Sequence, residues 1–142
     1  MAKRLEAERN PNVDYVLIFE ELQAAFDAAQ INPAALEADK FAVESSAQGR
    51  RFPISGGVAS AVQFVVGDKA EYKPLKIDGL TKDSCKMLKR FAAKAPEDAN
   101  MIEVMCCEGG CVAGPGCVAL AKKAAVMVEN YVKTAPNLRD EK

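Results

Sequence analysis

Residues 72–105 read YKPLKIDGLTKDSCKMLKRFAAKAPEDANMIEVM. Tyr72 to Asp78 has the composition of a strand, with Pro74 placing it near a sheet edge because proline donates nothing to a ladder. Gly79 to Thr81 makes a turn in which Thr81 caps a helix over Lys82 to Lys94, with Cys85, Leu88 and Ala92 on its apolar face and Pro96 behind its end. Met101 to Met105 is a second short apolar strand. A strand, a helix and a strand in this order predict a parallel pair. Working outward, Val13 to Phe19 (VDYVLIF) reads as a further buried strand, and Glu20 to Gln30 as an amphipathic helix ended by Asn32-Pro33. Residues 31–52 carry no clear period, and Ser45 to Arg51 reads as a surface loop. Ser55, as N-cap, opens a helix from Val58 to about Val66, and Val118 to Val132 carries a long stripe through Val118, Ala121, Ala125, Val128 and Val132. The fold class expected is α/β, a mostly parallel three- to four-stranded sheet flanked by helices, without internal repeats.

The chain has 142 residues, close to the roughly 150 of one domain, so residues 1–142 are read as a single domain with disordered tails at 1–12 and 136–142. Nineteen basic residues oppose twenty acidic ones, and no basic stretch points to nucleic acid. No apolar run reaches the roughly 18 residues of a membrane span, and the charged opening is unlike a signal peptide, so a cytoplasmic location is expected. There is no histidine, which removes Ser-His-Asp triads, Cys-His pairs and histidine-ligated metals. Any chemistry must then rest on cysteine, carboxylate, lysine or a cofactor.

Five cysteines in a cytoplasmic chain suggest metal or redox work rather than a disulfide framework, and four of them fall between residues 106 and 117. The segment CCEGGCVAGPGC follows a strand and precedes a helix, whose N-terminal amides would favour thiolates, and its glycines let it wrap a bound object. Thiolates without histidine suit iron–sulfur or zinc, although adjacent Cys106-Cys107 is not the hook zinc modules use. Cys85 on its helix face reads as packing.

Glu103 to Gly116 (EVMCCEGGCVAGPG) resembles the third signature of iron-only (FeFe) hydrogenases, E-V-M-A-C-P-G-G-C-x-x-G-G-G, in the C-terminal region of the catalytic subunit. Val13-Asp14-Tyr15-Val16-Leu17 is similar to the family's VDYVLT strand, and Phe52-Pro53-Ile54-Ser55-Gly56-Gly57-Val58 to its F-G-A-T-G-G-V segment. Ala2-Lys3-Arg4-Leu5-Glu6 is similar to the end of its second signature, M-P-C-x-A-K-K-x-E. The likeness stays in register up to Tyr131.

The resemblance implies one lobe of the hydrogenase catalytic domain and an H-cluster, a 4Fe–4S cubane joined to a two-iron subsite. It places Cys107 and Cys111 as cubane ligands, with Cys111, the catalytic position, also bridging to the two-iron subsite. Met105 matches a methionine beside the cluster, Lys3 a lysine donating to a cyanide ligand, Glu6 a motif carboxylate, and Phe52, Pro53 and Ser55 the lining of the pocket. Cys106 stands where the family usually has alanine, Glu108 where it often has proline, and Cys117 after the glycine run; Cys106 and Cys117 are further candidate metal ligands. These departures resemble divergent members and bear on turnover.

The first signature, T-S-C-C-P, and the second-signature cysteine do not occur in this sequence. The chain is therefore read as an excised C-terminal piece, opened by an introduced methionine, of an oxidoreductase acting on protons and dihydrogen. Its partners would be the rest of the parent chain and an electron-transfer protein such as ferredoxin. The piece alone is expected to be inactive and to hold no cluster stably. A non-catalytic metal or iron–sulfur sensor module on the same fold, and a plain structural interaction domain, are the alternatives.

Overall fold

The computed structural model describes residues 9–39 and 45–138. Two compact units divide the chain, one of Met1–Lys40 with Pro115–Val118 and the other of Phe41–Gly114 with Ala119–Lys142.

In the first unit, α1 (Phe19–Ala28) is the amphipathic helix expected from Leu22 and Phe26. Glu21 reaches back one turn to accept the Ile18 amide at 3.0 Å, which satisfies a donor that the helix start leaves open. Asn32 then caps a single 3₁₀ turn, Pro33–Ala35. The strand expected at Val13–Phe19 does not form. Tyr15 is 85% exposed and Leu17 59%, and helix takes over at Phe19. β-branched and aromatic residues favour a strand only where a pleated, half-buried surface receives them, and no strand pairs with this run. Among the described residues the sheet accordingly has two strands rather than three or four.

The second unit is built on the strand–helix–strand read from residues 72–105. β1 (Pro74–Asp78) and β2 (Met101–Met105) pair in parallel, Pro74 opposite Met101 and Asp78 opposite Met105, and α4 (Lys82–Ala93) connects them. Pro74 is the first residue of its strand, where its missing N–H costs nothing. The pairing continues past both strand ends: the Gly79 amide donates to Met105 O at 3.0 Å and the Leu80 amide to Cys106 O at 2.9 Å. Thr81 caps α4 as expected, accepting the Ser84 amide while Ser84 Oγ accepts the Thr81 amide. The half-buried stripe of α4 runs through Ser84, Met87, Leu88 and Phe91. Cys85 and Ala92, assigned to that stripe from spacing alone, are exposed; each lies about 100° round the helix from a residue that packs.

Around the sheet stand α2 (Ala47–Arg50), α3 (Gly57–Val66) and α5 (Ala121–Val132). The short α2 falls where a loop was expected, because Ser46 Oγ accepts the Gly49 amide and caps it. Gly56, left-handed at φ +88°, takes the N-cap of α3 instead of Ser55. α5 begins at Ala121, so the expected stripe loses Val118, which is exposed in the first unit. Of the expected tails, residues 1–8 and 139–142 lie outside the described residues, while Pro136 O accepts the Ala47 amide and the Leu138 amide donates to Gln48 Oε1.

The core gathers Ile77, Ala59 and Ala61 with one charged residue, Glu103 on β2, which is only 5% exposed. Its Oε1 accepts the Gly56 amide at 2.9 Å and its Oε2 the Ala59 amide at 2.8 Å. Both oxygens thus answer amides at the start of α3, where helix donors lack internal partners and the dipole favours an anion. Tyr72 Oη donates to Ala59 O at 2.9 Å beside this carboxylate. Burial, and then the charge of Glu103, push the Tyr72 phenol above its ordinary 10.0.

Replacing Glu103 by Ala strands two amides, so a loss of about 3 kcal/mol is expected in urea denaturation, with Glu103→Gln intermediate; a loss below about 1 kcal/mol would refute the assignment. Tyr72 binds its proton more tightly folded than unfolded. Its contribution is therefore complete below pH 10.0 and declines as pH rises through the raised folded value. The stability gap between the native chain and Tyr72→Phe should stay constant at neutral pH and narrow in strong alkali, as followed by denaturant melts.

Candidate functional site

β2 ends at Met105, which is half-buried, and delivers the chain into the cysteine segment. All five cysteines are thiols; Cys85, Cys106 and Cys111 are exposed, and Cys107 and Cys117 half-buried. Cys107 to Gly110 form a tight turn closed by the Gly110 amide on Cys107 O at 3.0 Å. Gly109 sits at φ +86° in the third place of that turn, a conformation glycine reaches without penalty. One 3₁₀ turn follows, Cys111–Ala113, whose Cys111 O accepts the Gly114 amide at 3.0 Å. Gly114 passes close to Cys107: a side chain there would begin 3.7 Å from Cys107 Sγ.

The segment Phe52–Ser55 is laced to this loop through the backbone. Ile54 and Gly110 form an antiparallel bridge, the Ser55 amide donates to Gly109 O at 3.3 Å, and the Val112 amide to Pro53 O at 3.2 Å. On the other side, Asp78 Oδ1 at the end of β1 accepts the Gly109 amide at 2.8 Å. Here Gly110 is indispensable for space as well as conformation: at φ +91°, a Cβ would stand 2.5 Å from Pro53 O and 2.6 Å from Ser55 N.

The structure therefore brings Cys106, Cys107 and Cys111 into one loop, Met105 to its root, and Pro53 and Ser55 against its back. Cys117 belongs to the other compact unit. Lys3 and Glu6 lie outside the described residues. The helix expected to aim its N-terminal amides at the thiols starts only at Ala121; the amides of Gly109, Gly110, Val112 and Gly114 are instead bonded to Asp78 and to carbonyls of the loop and of Pro53. Among the described residues no three cysteine, aspartate or glutamate side chains gather as a metal-holding group. As a donor set, the exposed Cys111 and the half-buried Cys107 fit part of a thiolate-ligated cluster, not the four thiolates of a whole cubane.

Asp78 was not singled out in the sequence, and Glu103 was read only as the start of the signature segment, not as a buried cap. Glu103 carried a signal: a carboxylate at the centre of the apolar strand MIEVM must find donors if that strand is buried. Asp78 carried a weaker one, an Asp-Gly pair at a strand end.

Residues 1–115 match the family model for the iron-only hydrogenase large subunit, C-terminal domain, which is more than half of the chain. The chain belongs to this family. No curated protein matches it. α5 and the bonded segment at its end lie beyond the matched residues.

Gly110→Ala is expected to cost about 3 kcal/mol or more and to release the loop, read as faster alkylation of Cys107. In the native chain, Cys85, Cys106 and Cys111 should alkylate before Cys107, with peptide-resolved mass spectrometry as the readout; Cys85 reacting last would contradict its exposure.

Proposed function

We propose that this chain supplies one wall and two thiolate ligands, Cys107 and Cys111, of the H-cluster of an iron-only hydrogenase-like oxidoreductase. The remaining ligands come from other parts of a larger parent protein. The observation that carries this reading is the lacing of the Cys107–Gly114 loop to Pro53–Ser55: two signature segments of the matched family, some fifty residues apart in sequence, share a backbone bridge and two flanking hydrogen bonds.

When bound, the cluster supplies the redox and hydride chemistry, reducing protons or oxidising dihydrogen. The protein's part is ligation and enclosure. Cys107, held by the turn, and Cys111, at the head of the 3₁₀ turn, present thiolates from a loop in which the amides of Gly109, Gly110, Val112 and Gly114 are already bonded, which limits reorganisation on binding. Met105 and Pro53 contribute apolar surface that keeps water from the reacting atoms. Lys3 is assigned the donation to a cyanide ligand by the family pattern alone. Cys106 is a spectator, and Cys117 an optional soft-metal ligand. A ferredoxin-type partner exchanges electrons with the parent, in the cytoplasm. The isolated chain holds no stable H-cluster, although the thiolates of its cysteine segment can take up zinc or a labile iron–sulfur species.

In the full parent chain, Cys111→Ser is expected to abolish hydrogen-dependent methyl viologen reduction, Cys107→Ser to lower iron and sulfide content, and Cys106→Ala to leave both within about twofold. Equal severity of Cys106→Ala and Cys111→Ser would shift the ligand assignment by one residue and overturn it. A parent that retains its full iron content but turns over no hydrogen would replace the enzyme reading with the sensor module.

A further inference from the structure

The turn that carries Cys107 is gripped on both faces of one glycine: Gly109 O accepts from the Ser55 amide, and Gly109 N–H donates to Asp78. The Ser55 bond is 3.3 Å long, whereas the Asp78 bond is 2.8 Å and ends on a carboxylate, the stronger kind of acceptor. Asp78 is itself fixed, as the last residue of β1 in register with Met105 and immediately before the Gly79 amide that extends the ladder. Asp78, Glu108, Gly109, Val112 and Ala113 line an open depression of about 420 Å³ together with Lys122 of α5.

We propose that Asp78 is the positioning residue of the thiolate loop: by holding the Gly109 amide it fixes the Cys107–Gly110 turn and so sets how Cys107 and Cys111 stand to each other. The same bond commits the Gly109 N–H to Asp78. What the two thiols are held ready to bind rests on the hydrogenase reading; that they are held by Asp78 does not.

The test reads the loop in the chain itself, without cofactor. Rate constants for alkylation of each cysteine are measured by peptide-resolved mass spectrometry in the native chain, Asp78→Ala and Asp78→Asn. The expected result is an approximately tenfold acceleration at the half-buried Cys107 in Asp78→Ala, the size of one lost hydrogen bond in a local opening, with the exposed Cys85 within about twofold. Asp78→Asn keeps an Oδ1 acceptor and should restore most of the native rate. An unchanged Cys107 rate, equal acceleration of Cys85, or an Asp78→Asn variant indistinguishable from Asp78→Ala would each overturn the proposal. Should Asp78→Ala not fold, amide exchange in the native chain decides: Gly109 N–H must exchange at least about tenfold more slowly than an exposed loop amide, and equally fast exchange refutes the bond. If the bond stands while the parent shows no hydrogen chemistry, the functional reading fails alone.

Discussion

A carboxylate buried between a strand and a helix governs this fold. Glu103 is a charge in a position where β2 needs an apolar residue, and desolvating it is tolerable only because two amides at the start of α3 meet its two oxygens. The dependence is mutual. α3 opens at a glycine with no side-chain cap of its own, so the helix borrows its cap from the sheet. Everything downstream inherits that geometry: the Pro53–Ser55 turn precedes the capped helix directly, and the cysteine loop leaves β2 two residues after Glu103. The two segments that meet at the thiols are therefore positioned by a bond that neither of them makes.

The strand–helix–strand of residues 72–105 was legible because each local signal agreed with the others. Thr81 caps, Pro96 stops, and two five-residue apolar strands flank a helix of adequate length. Val13–Phe19 misled because its composition says strand while pairing, which composition does not encode, is absent. Cys85 misled for a finer reason: the apolar stripe of α4 is narrow, and one residue of rotation separates packing from exposure. In the site, the identity of Cys107 and Cys111 was legible from spacing and resemblance. Their support was not, because Asp78 and Ser55 act through backbone atoms of residues about 30 and 55 positions away, and such partners leave no local pattern.

The chemistry of the loop follows from how its amides are occupied. A glycine-rich loop with idle N–H groups would be an anion nest in its own right. Here the amides of Gly109, Gly110, Val112 and Gly114 are committed to internal acceptors, so four of the loop's N–H groups are withdrawn from any bound anion while its sulfurs remain as ligands. That commitment favours a soft metal over a phosphate or carboxylate ligand, in keeping with the family to which the chain belongs.

α2 and the end of α5 show a further economy. Arg50 lies 4.0 Å over the Tyr131 ring and donates to Tyr131 O and Thr134 Oγ1, Arg51 pairs with Glu129 at 2.7 Å, and Gln48 donates to Asn137 across 89 residues of chain. These bonds close a far longer loop than the β1–β2 pairing, which spans about 27 residues. The latch is thus cheap for its reach: loop-closure entropy grows only slowly with length, so joining residues about 80 apart costs about 1 kcal/mol more than joining β1 to β2.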